Sequence, residues 1–90
     1  MTARQLLDEM ADELEADIVV ADGFDDALIG TTDILHRTHA VYDRDQCIQV
    51  LIDRDGMEPE EATEFFEYNV AGAYIEGGPI FIQLLKPSQL

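Results

Sequence analysis

Positive charge is scarce in this chain. Five basic residues stand against twenty acidic ones, a formal net charge of -15 over 90 residues, and a surface of that composition repels nucleic acid and every other polyanion. Cysteine is limited to Cys47, which excludes an internal disulfide. No apolar run approaches the roughly 18 residues of a membrane span, and Met1 to Gln5 lack the apolar core of a secretory signal. A soluble, cytoplasmic protein is therefore expected. Linkers, repeats and low-complexity stretches are missing as well, so residues 1–90 read as one acidic domain. A phosphate-cradling glycine motif and a nucleophile elbow are also absent, so neither an enzyme nor a bound cofactor is expected.

The chain does have hydrophobic residues, 47% of the total, too many for a disordered acidic tail. It should fold, with modest stability, because a domain this small buries only about 60% of the surface its unfolded chain exposes. Self-repulsion lowers that stability further, and salt or a cationic partner should restore it by screening the carboxylates.

The pattern predicts an α+β domain in the order α-β-β-β-α-α-β, with an antiparallel sheet packed against helices. Thr2 and Gln5 form a capping box, and Leu7, Met10, Ala11 and Leu14 follow at helical spacing, predicting a helix over about residues 3 to 15. Ile18, Val19 and Val20 suggest a short strand ending at Asp22 and Gly23. Ala27 to Ile34 and Ala40 to Tyr42 read as the next two strands, joined by a polar turn near His36 to Thr38, which completes a three-stranded meander. Asp43 is a helix cap with Gln46 at the capping-box position, and Gly56 suits a left-handed helix end. Pro59 starts a third helix that continues to about Ala71, with Ala62, Phe65, Phe66, Asn69, Val70 and Ala73 on its inner stripe. Pro79 to Leu85 is a last strand, apolar on both sides and so expected to lie centrally or at an interface; a homodimer would bury Phe81 and Leu85 there.

Between about residues 17 and 82 one run of residues resembles a family of small proteins from phage and bacterial genomes. It consists of Asp22-Gly23-Phe24-Asp25 with Ala27-Leu28-Ile29-Gly30, then Tyr42-Asp43, Gly56-Met57, Glu61-Ala62, Phe66, Asn69-Val70, Gly72-Ala73 and Pro79-Ile80-Phe81. The resemblance implies a recurring compact fold, on a mobile element, and brings no activity, substrate or site residues with it.

Candidate chemistry is sparse. Asp22, Asp25 and Asp26 cluster about Gly23 and offer oxygen atoms to a hard cation, although Asp and Gly are also what a polar hairpin turn selects, and the turn is the favoured reading. The stretch Asp53, Arg54, Asp55, Gly56 fails as an EF-hand loop, because placing Gly56 at the required glycine puts Leu51 and Ala62 at the first and last ligand positions. His36 and His39 lack ligand-spaced companions and read as exposed turn residues. Cys47 falls on an apolar helix face and reads as core. Asn69, within an apolar stripe, needs partners if buried and reads as a clamp between the third helix and a loop.

The acidic helix rows remain, with Asp8, Asp12 and Glu13 on the first helix and Glu60, Glu64 and Glu67 on the third. Side chains at i and i+4 lie about 5–6 Å apart, comparable to phosphates along a nucleic-acid strand. Such rows can occupy a basic cleft that normally receives DNA or RNA, as anti-CRISPR proteins and other phage-borne inhibitors of this kind do. The expected function is thus non-enzymatic binding to the basic surface of a nucleic-acid-binding protein. The alternative is a small oligomeric accessory protein whose charge only keeps it soluble.

Overall fold

The computed structural model describes residues 1–72 and 75–87. It is a small α+β domain in which helices pack on one face of a mixed three-stranded sheet. The first helix, α1 (Ala3–Leu14), starts at the capping box: the Thr2 hydroxyl accepts from the Gln5 amide at 3.1 Å, and the Gln5 side chain accepts from the Thr2 amide at 2.8 Å. It leaves through Glu15 in a left-handed conformation. Like-charge pairs Asp8/Asp12 and Glu9/Glu13 oppose this helix, and burial of Leu7 in the common core holds it.

Residues 18–20 are not a strand. Ile18 and Val20 pack on the core from an irregular segment whose tie is the Ala21 amide, donating at 2.9 Å to the hydroxyl of the fully buried Tyr42. The β-branched run is apolar because it is half-buried against the core and not because it pairs in the sheet. A 3-10 turn, Asp25–Ala27, then leads into β1 (Leu28–Ile34), which pairs antiparallel with β2 (Arg37–Asp43) across a bulge at Ile29. The turn between them is Leu35 and His36, both at positive φ, so β2 starts three residues earlier than Ala40.

Asp43 caps α2 (Arg44–Asp55), its carboxylate accepting from the Asp45 and Gln46 amides at 3.0 and 3.3 Å. Gly56 ends the helix at φ 69°, its amide donating to the Ile52 carbonyl at 3.1 Å. Pro59 opens α3 (Pro59–Phe65), which widens into a π-helical segment over Phe66–Ala71. That widening corrects the inner stripe. Ala62 and Phe66 are buried and Val70 is half-buried, but Phe65 is 39% exposed and Asn69 faces solvent, so Asn69 is no clamp; Ala73 lies outside the described residues.

The last strand, β3 (Ile80–Ile82), is shorter than Pro79 to Leu85, and it pairs parallel with β2, giving the order β1-β2-β3. The sheet is therefore mixed rather than antiparallel, with two of the expected meander strands present, and β3 is an edge rather than a centre. Its inward residue Phe81 lies between Tyr42, at a ring distance of 5.5 Å, and Phe66, edge-on at 5.2 Å. Leu51 and Cys47 fill the space beneath, from α2. By strand alternation Val41, Ile80 and Ile82 share the opposite face of the sheet.

Candidate interaction surface

All six carboxylates of the two helix rows reach solvent, but they are not equivalent. Asp8 is held by the Arg4 Nε at 3.1 Å, and the same guanidinium reaches Asp25 at 3.1 Å, tying α1 to the 3-10 turn. These carboxylates raise the Arg4 pKa, Asp8 foremost. Glu67 is bound at 3.1 Å by Arg44, whose guanidinium also sits 5.9 Å from the centre of the Phe66 ring. Asp12 and Glu13 on α1, and Glu60 and Glu64 on α3, make no ion pair or side-chain hydrogen bond among the described residues. Glu60 and Glu64 line one shallow depression with Pro59 and Thr63. The cations are directed elsewhere: Arg54 grips Asp55 through two hydrogen bonds of 2.9 and 3.0 Å, and Arg37 packs over Gly77. The Arg54 contact holds the Asp55 carboxyl below its usual range.

The two rows belong to different packing units, since α1 rests on β1 while α3 rests on α2. Between them lies an acidic cleft of about 360 Å³ formed by Asp25 and Asp26 of the 3-10 turn with Gln46, Asp53 and Arg54 of α2. Arg54 closes one side, its Nη1 donating to the Gly23 carbonyl at 2.6 Å and its guanidinium lying 5.7 Å from the Phe24 ring centre. The acidic positions thus follow one another through contacting elements, from α1 through the 3-10 turn and α2 to α3. Asp22, Asp25 and Asp26 do not act as a trio: Asp25 is engaged by Arg4, and Asp22 lies outside the cleft lining. Among the described residues no group of three His, Cys, Asp or Glu side chains is arranged to hold a metal ion.

Other singled-out residues have structural surroundings. His36 is exposed in the turn, whereas His39 is a half-buried β2 residue whose Nδ1 lies 2.9 Å from the Gly78 carbonyl, a correction to its reading as an exposed turn residue. Cys47 is fully buried, and its thiol is pushed up to about 12, chiefly by burial and then by the charge of Asp43; a thiol so held is a poor nucleophile at neutral pH. No helix among the described residues is long and apolar enough to cross a membrane.

The cleft went unread in the sequence because Asp53 and Arg54 lie far along the chain from Asp25 and Asp26. A second omission had a plain signal: every acidic residue lies at or before Glu76, and residues 77–90 carry a single charge, Lys86. No family model matches the chain, and neither do any curated protein nor any solved structure.

Proposed function

We propose that this domain is a non-enzymatic binding protein that acts in the cytoplasm by occupying a basic, nucleic-acid-binding surface of a partner, as a phage-type inhibitor that mimics nucleic acid. The observation supporting this reading is the division of labour among the charges. Arg4, Arg44 and Arg54 are engaged within the chain, which leaves Asp12, Glu13, Glu60 and Glu64 unneutralised on α1 and α3, whose neighbours, the 3-10 turn and α2, line the acidic cleft. Carboxylates left in this state attract cationic side chains, and docking them on a lysine- and arginine-lined groove displaces the anions that groove otherwise holds.

The test replaces those four with their amides (D12N, E13Q, E60Q, E64Q), which keeps shape and leaves every ion pair described above intact. The immobilised parent should retain nucleic-acid-binding proteins from a host lysate, releasing them to added duplex or single-stranded nucleic acid and to rising salt. The variant should retain none of them while unfolding at the same or higher denaturant concentration. Equal retention by parent and variant, or retention indifferent to nucleic acid, would refute mimicry. The second reading, an oligomeric accessory protein kept soluble by its charge, draws support from the uncharged end of the sheet.

A further inference from the structure

The structure carries one surface that the acidic residues avoid. β3 is an edge strand, and where it begins a groove of about 440 Å³ runs across the end of the sheet, lined by Ile34 of β1, His39 of β2, and Ala71, Pro79, Ile80 and Phe81, without a carboxylate. Ile82 and Leu84 are 38% and 43% exposed next to it, and Leu85 is 88% exposed. An exposed apolar edge strand is a template for another strand, and proteins normally blunt such an edge with charge, proline within the strand or a covering element. Here the strand itself is Ile80-Phe81-Ile82, without charge or proline, and only its short length and the preceding Pro79 limit pairing among the described residues.

We infer that this edge pairs with β3 of a second copy of the chain, antiparallel and centred on Phe81, joining two three-stranded sheets into one of six strands. Three observations favour this occupant. A two-fold interface must be self-complementary, and Ile-Phe-Ile reads the same in both directions, so Ile80 lies across from Ile82 of the partner subunit. Two copies each carrying -15 repel one another, and residues 77–90, free of carboxylates, are where they can approach. Extending the same register places Leu84 of the partner subunit alongside Gly78 and Pro79 at the groove. Because Phe81 is committed to Tyr42 and Phe66, the contact rests on Ile80, Ile82 and Leu84 rather than on Phe81 and Leu85.

This pairing is independent of the mimicry proposed above, and salt separates the two. Screening relieves repulsion between the copies, so dimerisation should strengthen as ionic strength rises, whereas binding to a basic partner should weaken. Sedimentation equilibrium on the full chain is the test. A pair of short strands buries less than the ~800 Å² per partner of a standard interface, so the dissociation constant should be that of a weak, transient contact even in high salt. Ile82→Lys, which places a charge on the edge, should raise that constant by about tenfold or more. Leu84→Lys, just outside the strand, should weaken the dimer as well. A chain that stays monomeric in high salt at the highest attainable concentration overturns the inference, as does a dimer indifferent to both Ile82→Lys and Leu84→Lys. Ile82 and Leu84 are both partly exposed, so a folding defect in one variant leaves the other decisive.

Discussion

Replacing Tyr42 with Phe tests how the irregular segment between α1 and the 3-10 turn is held. Tyr42 is fully buried, and its hydroxyl accepts the Ala21 amide at 2.9 Å. Removing the oxygen leaves the ring contact with Phe81 in place and strands a half-buried N–H. A net hydrogen bond contributes about 0.5–1.5 kcal/mol, and an unsatisfied buried donor costs about 1–3 kcal/mol. The partial burial of Ala21 points to the lower end, about 1 kcal/mol. With a urea slope of about 1 kcal/mol/M for a small domain, the midpoint should fall by about 1 M with the slope unchanged; thermal unfolding should shift down by about 4–8 °C. Amide exchange gives the positional readout. Ala21 and its neighbours should exchange about fivefold faster relative to α2, because the loss is local. An unchanged midpoint together with unchanged exchange at Ala21 would show that this bond does not anchor the segment, and that packing of Ile18 and Val20 suffices.

Two further outcomes follow from the buried thiol and the helix end. Cys47 should resist alkylation in the native state at pH 8 and react at the rate of unfolding. Its folded pKa is raised from 9.0 to about 12, so the thiol's contribution is fully present below pH 9 and is lost as pH rises from 9 towards 12. Tyr42, raised by burial above its ordinary 10.0, adds to that alkaline loss, and Cys47→Ala should shallow the decline measured by denaturation across this window. Gly56→Ala forces a Cβ into the left-handed region at φ 69° and should cost about 1–2 kcal/mol in urea unfolding, with Gly56→Asn recovering part of the loss.

What could be read in the sequence was what is decided locally. Thr2 with Gln5, Asp43, Gly56 and Pro59 each mark a helix boundary through contacts within a few residues, and the structure places all of them as expected. Leu28 to Ile34 likewise declares its strand. Features that depend on distant partners were not legible. The run at Ile18 to Val20 has strand composition, but its amide partner is a tyrosine two strands away in the fold. Nothing in Ile80 to Ile82 distinguishes parallel from antiparallel pairing; the direction is set by where α2 and α3 deliver the chain. Asn69 was misplaced because a 3.6-residue period was carried through a segment that widens after Phe66. The acidic rows were readable as residues, yet their inequality was not, since Arg4 to Asp25 and Arg44 to Glu67 join positions more than twenty residues apart.

The parallel attachment of β3 also fixes an order of events during folding. β1 and β2 meet across a turn of two residues, and α2 follows directly, so these pieces can assemble from near neighbours. β3 arrives only after α2, α3 and the π-helical segment have been traversed, and closing that longer span costs more chain entropy. Until it docks, β2 would keep one bare edge and Tyr42 would lack its cover from Phe81, so β3 is expected to join late in refolding, when a loose apolar strand can pair with the wrong molecule.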